Sequence, residues 1–187
     1  MEEEVQLYLE DAREKMTKAV DHLKDELMRV RAGKATPNIL DGIQVDYYGV
    51  KSPLNQVSNI NTPDAKTIAI QPWDKSMIEI IEKAILAANI GLTPFNNGEI
   101  IRINIPPLTE ERRKNLVKQI KNMGENTKVS IRNTRRETND ELKKLQKEGL
   151  AEDLEKDAEN EVQEMTNEFS KIVDDLITSK ETDIMTV

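Results

Sequence analysis

No cysteine occurs anywhere in the sequence, which removes disulfides, thiol nucleophiles and thiolate metal sites together. That fits a reducing compartment, and a cytoplasmic protein is expected. No apolar run approaches the roughly 20 residues that a bilayer-spanning helix needs, so no membrane partner is expected. The opening Met1-Glu2-Glu3-Glu4 is acidic and precedes no apolar stretch, so no secretory signal is expected either. The seven glycines are scattered at turns, and none builds a phosphate-cradling loop. The single histidine, His22, sits among charged residues and reads as solvated. These absences leave no candidate catalytic residue, metal site or cofactor, and the chain is not expected to be an enzyme. Aromatic residues make up only 3% of the chain, too few for a stacking platform for single-stranded bases. Tyr47, Tyr48 and Trp73 are read as core or edge packing; exposed, they would instead mark a partner surface.

What the chain does have is charge, with one third of its 187 residues Asp, Glu, Lys or Arg. With so few aromatics, that favours long solvated helices over a β-rich core. Residues 2–30 carry Val5, Leu9, Ala12, Met16, Ala19, Leu23, Leu27 and Val30 at steps of three or four, one apolar helical stripe. Such a helix is roughly 40 Å long, a length suited to a bundle or coiled coil. Gly33 and Pro37 end it.

Residues 38–105 change period. Ile43, Val45 and Tyr47 alternate with polar neighbours, as do Ile68 and Ile70, and then Ile101, Ile103 and Ile105: three half-buried strands. Between the last two lies a helix started either by Asp74 or by a Ser76–Glu79 capping box. Met77, Ile80, Ile81, Ala84, Ile85 and Ala88 form its expected buried face, and Gly91 its left-handed stop.

Helix returns at residues 109–147, with Thr109 as N-cap and Glu110 and Glu111 favoured by the helix dipole. Its stripe runs Leu116, Ile120, Met123, Thr127, Ile131, Thr134, Thr138, Leu142 and Leu145, with Gly124 as an interior weak point. A third long helix follows from Leu150 to about Lys180, with a stripe of Leu154, Ala158, Val162, Met165, Phe169, Ile172 and Leu176. Residues 183–187 are expected to fray. Three long amphipathic helices from both ends of the chain bury their stripes most economically in one bundle. The expected fold is therefore α+β in two domains: a three-helix bundle from residues 1–30 and 106–187, bearing an inserted α+β domain at 31–105. The connections around Arg31, Gly33, Pro106 and Pro107 are either hinges or stiff joints.

The charge is unevenly spread. Residues 108–147 hold twelve Lys or Arg against six Asp or Glu, while the chain as a whole has a net charge of −8. On a helical wheel with Leu116 at zero, the apolar residues lie within roughly 340° to 80°, and Lys114, Lys118, Lys121, Lys128, Arg132, Arg135, Arg136 and Lys143 at roughly 100° to 200°. One reading is pairing with the acidic third helix. The other is a polyanion, above all a structured RNA met at one edge of the bundle and recognised by shape and backbone. The clustered forks of Arg132, Arg135 and Arg136 suit phosphate. A rival function is a helical interaction module or chaperone whose acidic third helix holds a basic protein.

Three blocks carry a family resemblance: Leu40-Asp41-Gly42-Ile43-Gln44-Val45-Asp46-Tyr47-Tyr48-Gly49, Pro107-Leu108-Thr109-Glu110-Glu111-Arg112-Arg113-Lys114, and Val129-Ser130-Ile131-Arg132-Asn133-Thr134-Arg135-Arg136. Together they resemble the bacterial ribosome recycling factor family, over essentially the whole chain. The resemblance implies a bundle and inserted domain shaped together like the L of a transfer RNA. It also implies a monomer that binds the large ribosomal subunit and its ribosomal RNA across the peptidyl site. With elongation factor G, and GTP hydrolysis on that partner, such a factor splits the post-termination ribosome into subunits. It carries RNA contact onto Arg31, Arg113, Arg132, Arg135 and Arg136, with Arg112 and Lys114 in the same block; the basic stripe adds Lys118, Lys121 and Lys128. Lys34 stands where many relatives carry arginine, keeping the charge without the fork. The inserted domain is the one such a factor turns toward the translocase.

Overall fold

A computed structural model describes residues 1–186. In chain order the elements are α1 (Glu2–Arg29), β1 (Gln44–Tyr47), β2 (Val50–Pro53), β3 (Ser58–Asp64), β4 (Thr67–Pro72), α2 (Ile78–Ala87), β5 (Pro94–Asn96), β6 (Ile101–Asn104), α3 (Glu110–Lys147) and α4 (Glu152–Met185). They gather into two compact units, Met1–Val30 with the chain from Glu111 onward, and Arg31–Glu110.

The first unit is α1, α3 and α4. Leu9 of α1, Leu142 of α3 and Ala158 and Val162 of α4 form one buried cluster, with Val5 packed on its edge. Along α1 the buried stripe passes through Leu9, Ala12, Met16, Val20, Leu23 and Leu27. Val20 takes the place expected for Ala19, which is half-buried; the larger side chain fills the seam. Gly124 of α3 is also a point of close approach. A β-carbon there would lie 2.8 Å from Ile177 Cγ1 of α4, so glycine makes the room that the Ile177 side chain fills.

Three expectations for α4 need correction: Val173 is buried where Ile172 was expected, with Ile172 and Leu176 half-buried. Leu154 is exposed and Glu155 buried. Glu155 has Glu159 and Lys143 beside its carboxyl, and burial first, then Glu159, raises its pKa above the usual carboxylate value. The carboxyl reaches polar neighbours while its methylene stem occupies buried space. The expected fraying from residue 183 does not occur at 183–185: α4 runs to Met185, anchored by Ile184 at 0% exposure. Val187 lies outside the described residues. Ala151 sits at the N-cap of α4 without a side-chain cap bond.

The second unit is a four-stranded antiparallel sheet of order β3-β4-β6-β5, with a separate β1-β2 hairpin. Ile68 and Ile70 of β4 and Ile101 and Ile103 of β6 join Ile43, Val45, Ile81 and Ile85 in one aliphatic core. Asp74 starts the helical segment: its carboxylate accepts from the Ser76 backbone N–H at 3.0 Å and from the Ser76 hydroxyl at 2.8 Å. The Asp74 cap thus prevails over the Ser76–Glu79 box, with one 3₁₀ turn, Lys75–Met77, before α2. Ile78 is buried where Ile80 was expected; Ile80 is exposed, because Ile78 falls roughly 20° from Ile85 on a helical wheel and Ile80 roughly 140°. Asn89, at φ 50°, takes up the left-handed conformation before Gly91 does.

The aromatic expectation also fails. Tyr48 is 80% exposed and Trp73 63%, and Tyr47 lies at the edge of exposure. Tyr48 holds φ at 49°, in a hairpin turn with Gly49, where a bulky side chain is strained. Its ring meets Tyr47 edge-on and its hydroxyl donates to Asp74 Oδ2 at 3.0 Å.

Candidate nucleic-acid interface

The basic residues of α3 fall into rows according to what flanks them. Lys15 of α1 reaches Glu137 on one side of α3. On the other side α4 supplies carboxylates. Lys121 meets Glu181 at 3.5 Å, Lys143 meets Glu159 at 3.8 Å, and Lys128 pairs with Asp174 and with Glu125 of its own helix. Lys128 is the most sheltered of these, with 21% of its side chain exposed. The expectation of pairing with the acidic helix therefore holds for three lysines. Exposed pairs of this kind stabilise by about 0–1 kcal/mol each, but they cancel the charge of the cations they hold.

Between these rows the solvent-facing side of α3 carries cations with no such compensation. Lys118, Arg132 and Arg136 have no hydrogen-bond or ion-pair partner among the described residues. Arg135 donates from Nη1 to Gln163 Oε1 at 3.1 Å, a neutral amide that leaves the charge in place. Arg132, Arg135 and Arg136 thus form one cationic cluster at mid-helix, mounted above the buried Ile131, Thr134 and Thr138. Buried residues beneath and charge above let one helix pack and bind at once. One turn beyond Arg135, the buried Oδ1 of Asn139 has no hydrogen-bond partner.

The remaining predicted residues are dispersed. Arg112 and Lys114 are exposed in the first turns of α3, each with an interaction of its own. Arg113 is half-buried, and its Nε is buried without a partner. Arg31 belongs to the second unit, where its Nη2 donates to the Ile90 carbonyl at 2.7 Å. That cation sits just past the C-terminus of α2, where free carbonyls favour it. Lys34 is half-buried.

Of the expected hinge residues, Pro106 and Pro107 are exposed, and they group with the second unit together with residues 108–110. Within that unit the Leu108 side chain lies over Gly33. A β-carbon on Gly33 would lie 2.9 Å from Leu108 Cγ, and Gly33 holds φ at 74°. Glycine is required there twice over, by backbone conformation and by space.

Sequence reasoning missed Gln163 and Asn167. Their signal was a pair of neutral amides one helical turn apart among the acidic residues of that helix. It also missed the outward aromatics, for which composition holds no signal beyond their rarity. Among the described residues no helix is long and apolar enough to cross a membrane, and no group of acidic or histidine side chains is arranged to hold a metal ion.

A family model described as ribosome recycling factor matches residues 23–185. The ribosome-recycling factor of Flavobacterium johnsoniae is 52% identical over 187 residues, covering all of both chains. A solution structure of the ribosome recycling factor superposes with a TM-score of 0.82 at 36% identity, covering 98% of each chain. A second solved chain has a TM-score of 0.65 at 43% identity and covers 97% of this chain and 99% of that one. It comes from models for the T. thermophilus ribosome recycling factor and E. coli elongation factor G bound to the E. coli post-termination complex. With a match along most of its length, and with Arg132, Arg135 and Arg136 grouped above the buried Thr134 of α3, this chain belongs to the ribosome recycling factor family.

Proposed function

We propose that this chain recycles ribosomes after translation terminates: it binds the large subunit across the peptidyl site and, with elongation factor G, splits the post-termination ribosome into subunits. Family membership supports the class, and a relative described together with elongation factor G on the post-termination complex supports the partner. The observation that carries the reading to residues is the uncompensated cluster Arg132, Arg135 and Arg136 on a helix four of whose lysines, Lys121, Lys128, Lys143 and Lys144, are matched by carboxylates. The phosphates of ribosomal RNA are the polyanion such a cluster fits, and each neutralised phosphate releases counterions. Lys118 and Lys114 extend the same face; Arg112 and Arg113 belong to the same sequence block but lie elsewhere around the first turns of α3. Lys121 and Lys128 contribute to the local field with their charge already shared.

The factor itself makes and breaks no covalent bond. GTP hydrolysis takes place on elongation factor G, and the recycling factor converts the translocase's movement into subunit separation. In this reading the bundle is the anchor and residues 31–105 are the part that the translocase pushes, with Arg31, Gly33, Pro106 and Pro107 at the pivot. RNA binding must then hold the bundle while the second unit moves. The protein acts as a monomer in the cytoplasm, where ribosomes are recycled. The rival reading, an acidic α4 that holds a basic protein, is weakened because Glu159, Asp174 and Glu181 already face lysines of α3.

The test is a subunit-splitting assay on post-termination ribosomes. Splitting is expected only when this protein, elongation factor G and GTP are all present. Splitting at the same rate without this protein, or none with all three, would defeat the proposal.

A further inference from the structure

The α3 cations that face α4 do not all meet the same chemistry. Lys121, Lys128 and Lys143 meet carboxylates of Glu181, Asp174 and Glu159. The partners step backwards along α4 as the lysines step forwards along α3, as antiparallel neighbours must. Arg135 lies inside that series, and there α4 supplies an amide. Gln163 Oε1 accepts from Arg135 Nη1 at 3.1 Å, and Gln163 Nε2 donates to Asn167 Oδ1 at 2.9 Å. The second bond fixes the first: with its nitrogen committed to Asn167, the Gln163 amide has to present its oxygen to the guanidinium. Ser170 follows one turn on from Asn167's side of the helix, also neutral. Gln163, Asn167 and Ser170, at steps of four and three, thus form a neutral row on α4, with the intervening Glu168 turned to Arg13 of α1.

We propose that Gln163, oriented by Asn167, is a positioning residue that holds the Arg135 fork in place while leaving its charge uncompensated for RNA phosphate. This rests on the reading of α3 as the RNA-binding face. A glutamate at 163 would suit the bundle at least as well, since it would pair with the guanidinium like the carboxylates on either side of it. It would also occupy two of the donors that a phosphate uses and cancel their charge. An aliphatic side chain would leave the charge but release the fork. Glutamine neither cancels the charge nor releases the fork. A long cationic side chain held in place before binding loses less freedom when the partner arrives.

The test compares Gln163→Glu with the unaltered full-length protein for binding to purified large ribosomal subunits across a salt series, with thermal melting of each. Binding is expected to fall roughly tenfold near physiological salt, and the slope of log affinity against log salt to become shallower by about one. The melting temperature should hold or rise. A purely structural role predicts the higher melting temperature with unchanged affinity and slope, and that result would overturn the proposal. The same substitution in an Arg135→Gln background should add little further loss. An undiminished loss there would mean that the new carboxylate repels RNA by itself, which also overturns it. Arg132→Gln separates the two levels. If Arg132→Gln and Gln163→Glu both leave binding intact, the RNA-binding reading of α3 falls and takes the proposal with it. If only Gln163→Glu does, the positioning role alone falls.

Discussion

Ile68, Ile70, Ile101 and Ile103 fill the centre of the small unit at 0% exposure, whereas α3 and α4 place Thr127, Thr134, Thr138 and Thr166 in the interior of the bundle. Each of those hydroxyls donates to the carbonyl four residues earlier, over 2.8–3.1 Å, so burial leaves no donor stranded. The small unit holds its shape through a dense aliphatic core. The bundle spreads its apolar contacts along long helices and lines its seams with ion pairs. That difference suits the work proposed for each: one part must keep its form when pushed, the other must expose a long charged face without losing its packing.

The largest expected effect lies in the small unit. Ile70→Ala removes a fully buried side chain and should cost about 2–5 kcal/mol, read by denaturant unfolding. A loss under about 1 kcal/mol would mean that this core relaxes readily and that the contrast is wrong. Next comes the bundle's tightest point. Gly124→Val should cost about 1–3 kcal/mol through collision with Ile177, and adding Ile177→Ala should recover part of it. No recovery would place the strain elsewhere.

A smaller effect concerns Glu155, whose pKa burial raises above the carboxylate value of 4.5. The folded state then holds this proton more tightly than the unfolded chain does, so its contribution to stability is greatest below the unfolded pKa. It falls as pH rises from there through the folded pKa. Glu155→Gln should remove that fall and slightly raise stability at neutral pH. An unchanged pH profile would show that the group ionises at no cost. Smallest of all is Arg136→Gln, which should shift stability by less than about 0.5 kcal/mol while weakening large-subunit binding. A larger loss of stability would mean that the arginine cluster belongs to the packing after all.

Much of the architecture was legible because period reports burial. Ile101, Ile103 and Ile105 alternate, Leu116 to Leu145 step by three and four, and the structure buries both patterns except at Met123, which is half-buried beside the buried Gly124. The missed strands β2, β3 and β5 lacked that pattern. β3 and β5 are sheet edges containing Pro63 and Pro94, and their pairing is imposed by the neighbouring strand, not by their own composition. The slip at Leu154 and Glu155 has another cause. A wheel shows where apolar residues lie, but the partner helices decide which flank of the stripe they cover.

The candidate site was half legible for the same reason. Charge counting found the basic helix and the acidic one, and the wheel put the cations away from the core. The antiparallel register of α3 on α4, which sets Lys121, Lys128 and Lys143 against carboxylates and Arg135 against Gln163, exists only once both helices are in place.

The measurement that bears most directly on the account is the salt dependence of binding to large ribosomal subunits, for the unaltered protein and two multiple variants. Arg132→Gln/Arg135→Gln/Arg136→Gln should weaken binding steeply and flatten the salt slope by about two to three, with the fold intact by circular dichroism. Lys121→Gln/Lys128→Gln should change the slope much less, because those charges are shared with Glu181 and Asp174. Equal flattening by both variants, or none by the arginine variant, would contradict the claim that the uncompensated arginines are the RNA-binding part of this face.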